Sequence, residues 1–533
     1  MIKLEKFFIF ALMSLINSIV SLINYSRLTE IDYFRKHPFE VQENVLKSLL
    51  ENGVFTEIGK KHNLNEIKSG IDFSNKMPLH DYESLKSYIE KIMHGEENVL
   101  WPGKIKWFSK SSGTTSDRSK FIPISKESLE DCHFRSGKDI FMLYADRYPE
   151  SKVFIGKSLA IGGSTDININ SEDSYYGDLS AVLIKNMPFW TYFNRIPKND
   201  IALIEDWNIK LEKIVETTYN KNVTNIVGIP TWLLVLIKKI LSYTEKNNIL
   251  EVWPNLELFV HGAVSFTPYR DTFRNLIPNP SMIYMETYNA SEGFFAIQDE
   301  TASNPLLNNE GLLLMLDYGI YYEFIELSDY LAGNTNTIPL EAVNCDVNYA
   351  MIITTNAGLW RYVIGDTVSF VSKNPYKIKI TGRTKHFINA FGEEVIIDNA
   401  QVAIDYACKI TNAQVREFTV ATIFYPQNFS SEGAHQWLFE FEQKPNDLKV
   451  FIQNLDTKLK MINSDYDAKR FNNLALAMPE IFVLEDGSFY SWMERKGKLG
   501  GQHKVPRLSN TREYVDDLLK NSKIIAKIEN LKF

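Results

Sequence analysis

From Tyr33 to about Gly95, apolar residues recur every three to four positions, the spacing of helices that bury one face. VQENVLKSLLENG (41–53) is representative, and the glycine at its end matches a common helix stop. Farther along, short apolar runs alternate with helical stretches. SLAIGGS (158–164), NIVGIP (225–230) and LELFVHGA (256–263) read as strands, while DWNIKLEKIVETTY (206–219) and TWLLVLIKKILSYT (231–244) read as helices. Such alternation predicts an α/β fold with helical crossovers. Between Leu312 and Phe370 the pattern changes to short strands, GLLLMLDYGIYYEFIEL and YAMIITTNAGLWRYVIGDTVSFV, which predict an antiparallel sheet or small β-barrel. After ITGRTKHF the helix and strand mixture restarts, so a boundary is expected near Gly382 to Lys385. It separates a large multi-layer α/β unit over 1–382 from a smaller α+β unit over 383–533.

The extreme N-terminus, MIKLEKFFIFALMSLINSIVSLINY, begins like a signal peptide or anchor, with lysines before an apolar run. Its polar residues Ser14, Asn17, Ser18, Ser21 and Asn24 share one helical face, however, and no small-x-small cleavage site follows. An amphipathic helix packed on the body is expected, with no membrane partner; Met13 is a second candidate start.

Composition narrows the function. A chain of 533 residues, 44% hydrophobic and 23% charged, is too long for one ordinary domain. Its net charge of −8, with cations spread throughout, supplies no basic field, so a nucleic-acid partner is not expected. Cys132, Cys345 and Cys408 are odd in number, far apart and without a CxxC, which points to a reduced, cytoplasmic protein.

Three stretches carry chemistry. FSKSSGTTSDRSKF (108–121) gathers Ser111, Ser112, Thr114, Thr115 and Ser116 around Gly113, with Lys110, Arg118 and Lys120 nearby. Small residues let the backbone approach phosphate oxygens, hydroxyls add donors and cations add charge, as in a phosphate cradle. It is not a P-loop, because no Lys-Ser/Thr pair follows the glycine at the required spacing. Alone, the stretch also reads as a polar surface turn. SMIYMETYNASEGFF (281–295) sets an apolar strand, Met282 to Met285, before Tyr288, Ser291, Glu292 and Gly293. A strand end of this kind can offer a ring to a purine and a carboxylate to Mg²⁺, or merely a solvated loop. In GLWRYVIGDTVSF (358–370), Arg361 and Asp366 flank Gly365; a carboxylate in such a turn can accept the hydroxyls of a ribose, or simply stabilise the glycine.

In this order SSGTTS, YNASE and RYVIGD resemble the nucleotide-binding motifs of the plant auxin-responsive (Gretchen Hagen) family of acyl-acid amido synthetases. That family belongs to the adenylate-forming superfamily of acyl-CoA synthetases, peptide-synthetase adenylation domains and luciferases. The likeness extends to LHDYESLKSYIEKIMHGEENVLWPG, FVHGAVSFTPYR and GGQHKVPR, nearly the whole chain. It implies an ATP- and Mg²⁺-dependent ligase that converts a small carboxylic acid to an acyl-adenylate and passes the acyl group to an amine, such as an amino acid. A thioester-forming ligase that uses CoA is the alternative within the superfamily, and a non-catalytic nucleotide-binding or membrane-associated protein the alternative outside it.

Carried over by position, the resemblance makes Ser111 to Ser116 the phosphate cradle, sets Tyr288 against adenine beside Ser291, and gives Mg²⁺ to Glu292. Asp366 would bind the ribose with Arg361 nearby, and Arg383 occupies the hinge position of a mobile C-terminal domain, although Lys385 stands where the superfamily often has aspartate. Lys504 resembles the lysine that this domain brings to the α-phosphate, with Lys496 and Lys498 as alternatives. His261 lies on the loop that runs beside the adenine in the superfamily, although a structural histidine is the favoured reading of the residue. For the acid pocket, Thr231 and Trp232 open a helix just after a strand, aimed at the strand ends where substrates bind, and the aromatic run NMPFWTYF (186–193) reads as pocket or core.

Overall fold

The computed structural model describes residues 25–111, 120–162, 168–171, 174–188, 194–204, 206–262, 266, 270–300, 311–384, 387–388, 393, 395–425, 433–463, 466–467, 470, 476–497, 505–509 and 511–529. The N-terminal amphipathic stretch expected over 1–24 therefore lies outside the described residues.

The helical periodicity that follows is realised in Pro38–Gly53, Gly70–Lys76 and Tyr82–Met93. Each buries one stripe, Leu46, Leu49 and Leu50 in the first and Leu85, Ile89 and Ile92 in the last. Gly53 does end its helix, but Val54 after it keeps right-handed geometry, so the glycine does not act through a left-handed cap. Its use is clearance, since a Cβ there would stand 2.5 Å from the Trp360 ring.

In chain order the strands of the N-terminal part are β1 (Trp107–Ser111), β2 (Lys120–Ile124), β3 (Lys157–Ala160), β4 (Asn168–Ser171), β5 (Ser174–Gly177), β6 (Arg195–Ile196), β7 (Val223–Val227), β8 (Leu258–Gly262), β9 (Ile283–Ala290), β10 (Gly293–Ile297), β11 (Leu312–Leu314), β12 (Ile320–Glu326), β13 (Ile338–Pro339), β14 (Asn348–Thr355), β15 (Tyr362–Lys373) and β16 (Tyr376–Arg383). A small sheet has the order β2-β1-β5-β4, and the other strands form one twelve-stranded sheet, β13-β12-β14-β15-β16-β11-β10-β9-β8-β7-β3-β6. From β6 to β9 neighbours run parallel. Helices Trp207–Thr218, Pro230–Thr244 and Arg270–Leu276 lie between these strands in sequence. Here β7 and β8 are buried at nearly every position, as expected where both faces are covered, with the polar Thr224 and Asn225 enclosed among apolar neighbours in β7. From β9 to β13 neighbours run antiparallel. The segment expected as an antiparallel sheet or barrel is thus hydrogen-bonded into the same sheet as the parallel half.

One apolar cluster packs the N-terminal helices on the antiparallel half, through Phe73, Trp360 and Tyr322; a second joins helices 207–218 and 230–244 to β7 and β8, through Ile214, Ile237, Ile226 and Phe259. Beyond Arg383 a hairpin of β17 (Phe387–Ile388) and β18 (Val395–Ile396) leads to a five-stranded sheet. Its strands are β19 (Gln414–Phe424), β20 (Gly433–Gln443), β21 (Glu480–Leu484), β22 (Leu508–Ser509) and β23 (Ile524–Ile528), in the order β22-β19-β20-β21-β23. Alternation along β20 sends Trp437 and Phe439 toward helices Ile397–Thr411 and Leu448–Ile462, and Leu438 toward Ser488–Arg495 and Glu513–Asn521. Among the described residues no apolar cluster has members on both sides of Arg383. Contacts across it include polar ones, such as Thr272 Oγ1 donating to Glu442 at 3.2 Å and Lys238 pairing with the same carboxylate at 3.3 Å. The three cysteines form no disulfide, and among the described residues no helix is long and apolar enough to cross a membrane.

Candidate functional site

The second and third motifs converge where β9, β15 and β16 come together. Asp366 and Arg383 are direct cross-strand partners in the β15–β16 ladder, and Arg383 Nε donates to Asp366 Oδ1 at 2.8 Å. Tyr288 donates its hydroxyl to the other carboxylate oxygen at 2.7 Å. Asp366 sits inside β15 rather than in a turn, as its sequence had suggested. Gly365 before it has φ +88°, a conformation glycine adopts without cost, and its carbonyl accepts from the Thr384 amide at 2.8 Å. This fixes the carboxylate against Arg383. Each of its oxygens keeps a further lone pair for an incoming hydroxyl.

The strand of the second motif is longer than its apolar run indicated, so Tyr288 is a strand residue and Ser291 and Glu292 form the tip of the β9–β10 hairpin. The Tyr288 ring packs 4.8 Å from that of Phe295 and is only 4% exposed; what it presents to the site is its hydroxyl, not an open ring face. A Cβ at Gly293, just past the tip, would stand 2.7 Å from Ile320 Cδ1, so a larger residue there would have to displace that buried side chain.

The first motif joins them through β1. Ser109 Oγ donates to Ser291 Oγ at 2.9 Å, and Ser111 is paired with Lys120 where β1 and β2 meet. Ser112, Gly113, Thr114, Thr115 and Ser116 lie outside the described residues, as does the side chain of Ser111. The two strands nevertheless deliver both ends of that loop beside the tip bearing Glu292. Burial raises the Glu292 carboxyl above its ordinary range, the nearby Lys120 ammonium opposes this, Asp366 adds to it and Arg383 again opposes. Burial, then Asp366, pushes the Tyr288 hydroxyl well up, while Asp366 above all stabilises the charged form of Arg383. Two carboxylates and two cations therefore share one electrostatic neighbourhood, the kind of place where ionisation is tuned for chemistry.

Arg361 is not part of it. Its guanidinium is 3% exposed and engages Glu323 through Nε (2.9 Å) and Nη2 (3.0 Å), Thr337 through Nη2 (2.6 Å), and the carbonyls of Ser74 (2.7 Å) and Met77 (2.5 Å) through Nη1. Every nitrogen is committed to the fold, which leaves no donor for a nucleotide.

His261 is likewise enclosed, with its ring stacked on Phe266 at 4.2 Å and edge-on to Phe259 at 5.2 Å. Burial pushes its imidazole down to about 3, and among the described residues Nδ1 finds no hydrogen-bond partner. Because the unfolded chain protonates this residue near its ordinary 6.5 and the folded chain only near 3, its contribution to stability declines as pH falls between those values. Thermal unfolding of His261→Phe should therefore gain on the wild type progressively from pH 6.5 downward; a constant difference would mean that the imidazole is not held neutral.

The backbone of Thr231 and Trp232 opens helix Pro230–Thr244 as expected, but their side chains lie outside the described residues. Residues 189–193 of the aromatic run, Lys385, Lys498 and Lys504 also lie outside them, and Lys496 pairs with Asp517 at 3.0 Å. Two contributors were not singled out by sequence, Ser109 and Lys120. A period-two reading of FSKSS, which puts Ser109 and Ser111 on one face, would have found the first; Lys120 had counted only as one of several flanking charges.

Comparison with known proteins bears on the whole architecture. The GH3 family N-terminal domain matches residues 27–282, the central domain 313–383 and the C-terminal domain 398–513. The chain belongs to the GH3 family. Its relatives in that family include the indole-3-acetic acid-amido synthetase GH3.4 of Arabidopsis thaliana, 23% identical over 90% of each chain. The jasmonoyl-L-amino acid synthetase JAR4 of Nicotiana attenuata is also 23% identical, over 90% of this chain and 92% of its own. Among solved structures, GH3.15 acyl acid amido synthetase superposes with a TM-score of 0.76 at 17% identity, covering 94% of this chain and 96% of its own. A 2-hydroxyisobutyryl-CoA ligase bound to its acyl-adenylate superposes at 0.57 with 12% identity, over 89% and 90%, so this GH3 chain shares the fold of that ligase.

Proposed function

We propose that this chain is an ATP-dependent ligase that activates a carboxylic acid as its acyl-adenylate and transfers the acyl group to an amine, with an amino acid as acceptor. The observation that carries the reading is the meeting of Asp366, Tyr288 and Arg383 with Glu292 and Lys120 at the base of the 112–119 loop. Asp366 would accept the ribose hydroxyls and the loop would hold the phosphates. Lys120 and Arg383 would offset the charge that develops as the acid's carboxylate attacks the α-phosphate and pyrophosphate leaves. No protein nucleophile is needed, because the adenylate already carries a good leaving group and catalysis rests on position and charge. The amine then displaces AMP.

The donor set fits Mg²⁺. Among the described residues no group of three or more His, Cys, Asp or Glu forms a protein cage, whereas one carboxylate supplemented by phosphate oxygens and water is an ordinary Mg²⁺ arrangement. Glu292, whose charged form burial disfavours, would gain from such a cation. When bound, the ion would screen the phosphates.

Residues beyond Arg383 form, on this reading, a unit that changes position between the two half-reactions and supplies Lys504. The separate apolar cores on the two sides of Arg383 support this. Uncrosslinked cysteines fit a cytoplasmic setting.

The deciding experiment is acid-dependent exchange of labelled pyrophosphate into ATP over a panel of aromatic, aliphatic and jasmonate-like acids, followed by amino-acid-dependent AMP release with each acid that responds. Exchange followed by amide formation is expected. A CoA-dependent thioester with no amide would replace the acceptor assignment, and absence of exchange across the panel would overturn the reading.

A further inference from the structure

We propose that Tyr82 is a positioning residue for nucleotide phosphates: its hydroxyl and ring fix the start of β2, and with it the Lys120 ammonium, relative to the strand that carries Asp366. The inference rests on the reading above that phosphates enter at the β1–β2 hairpin.

Tyr82 is the first residue of helix Tyr82–Met93 and is 8% exposed. Its Oη accepts the Phe121 N–H at 3.0 Å, and Lys120 Nζ lies 5.8 Å from the centroid of the same ring. One side chain thus holds two consecutive residues of β2 by two different forces, a hydrogen bond and a cation–π contact. Lys120 is the residue at which β2 leaves the loop, opposite Ser111, and the cation that most opposes the burial of Glu292.

The other side of Tyr82 is fastened to β15. The amide of His80 donates to the Arg361 carbonyl at 2.9 Å, the His80 carbonyl accepts from Val363 at 2.8 Å, and His80 Nδ1 meets the Trp360 carbonyl at 2.8 Å. Arg361 also grips the carbonyls of Ser74 and Met77, just upstream. A capping box between Asp81 and Ser84 then fixes the direction in which the helix departs. The residue carried over as a nucleotide ligand therefore acts at a distance. It anchors the segment from which Tyr82 reaches β2, so that the carboxylate offered to the ribose and the ammonium offered to the phosphates belong to one connected frame.

That frame predicts a selective effect. ATP and pyrophosphate place charge at Lys120, whereas AMP engages the Asp366 side without the outer phosphates. Calorimetric titration of the full chain with ATP and Mg²⁺, and separately with AMP, should show Tyr82→Leu weakening ATP about ten-fold while AMP stays within about two-fold. Tyr82→Phe, which keeps the ring and loses only the acceptor, should fall between this variant and the wild type, and it carries the test if the leucine variant does not fold. Unchanged ATP affinity in both variants would overturn the proposal. Equal weakening of ATP and AMP would also overturn it, since that is the mark of a merely structural residue. If the wild type binds neither nucleotide, the reading of the site itself fails and this inference falls with it.

Discussion

Replacing Arg361 by methionine is expected to cost about 3–5 kcal/mol of folding stability, because it strands a partner in the core. Glu323 is 4% exposed and takes its main compensation from this guanidinium, at 2.9 Å to Nε and 3.0 Å to Nη2. Without it, a buried carboxylate and the carbonyls of Ser74 and Met77 all lose a donor at once. Methionine fills much of the volume, so the loss is electrostatic rather than a cavity. Calorimetric scanning should register it as a drop of several degrees in the unfolding transition. Adding Glu323→Leu to the methionine variant should recover a large part of the loss, since two apolar side chains leave no orphaned charge. A change below about 1 kcal/mol in the single variant would mean that water reaches Glu323 and that the ion pair behaves as a surface pair.

The same residue shows how far the sequence could be read. RYVIGD puts Arg361 and Asp366 in one short motif, which invites a shared ligand. In the fold, however, the β14–β15 register is irregular between Val363 and Thr367, so spacing along the motif does not say which way either side chain faces. Arg361 itself stands at φ +41°, outside the strand proper, which turns it toward Ser74 and Met77. What does pair with Asp366 is Arg383, and that contact depends on a β15–β16 register interrupted by two irregularities, which no local pattern specifies. The parallel half of the sheet was legible because its short strands, each with an apolar stretch, are separated by long helical ones. The antiparallel half was legible as strands but not as a continuation of the same sheet, since joining β11 to β10 and β16 is a matter of long-range pairing. The capping residues of LHDYESLKSYIEKIM signal a helix start, yet nothing in its period says that Tyr82 reaches β2.

Asp366→Asn should reduce acid-dependent pyrophosphate exchange by about 100-fold with little change in thermal stability. The amide can keep the local geometry. Its oxygen replaces Oδ1 as acceptor for Arg383, and its NH₂ donates to the Tyr288 hydroxyl, which can serve as acceptor as readily as donor. What disappears is the charge. Two charge-assisted hydrogen bonds to a ribose, each worth about 1.5–3 kcal/mol, would become neutral ones or lose their acceptor, which is enough for two decades in rate. Arg383 would simultaneously be released from the carboxylate that chiefly stabilises its charged form, although it stays protonated. Tyr288→Phe removes only one hydrogen bond to the same carboxylate, so its effect should be nearer ten-fold or less. The order of the two variants is as informative as their size. If Tyr288→Phe is the more damaging, the tyrosine touches the nucleotide directly and Asp366 serves to orient it. If Asp366→Asn exchanges within about three-fold of wild type while remaining folded, the carboxylate is a structural partner of Arg383 and the ribose is held elsewhere.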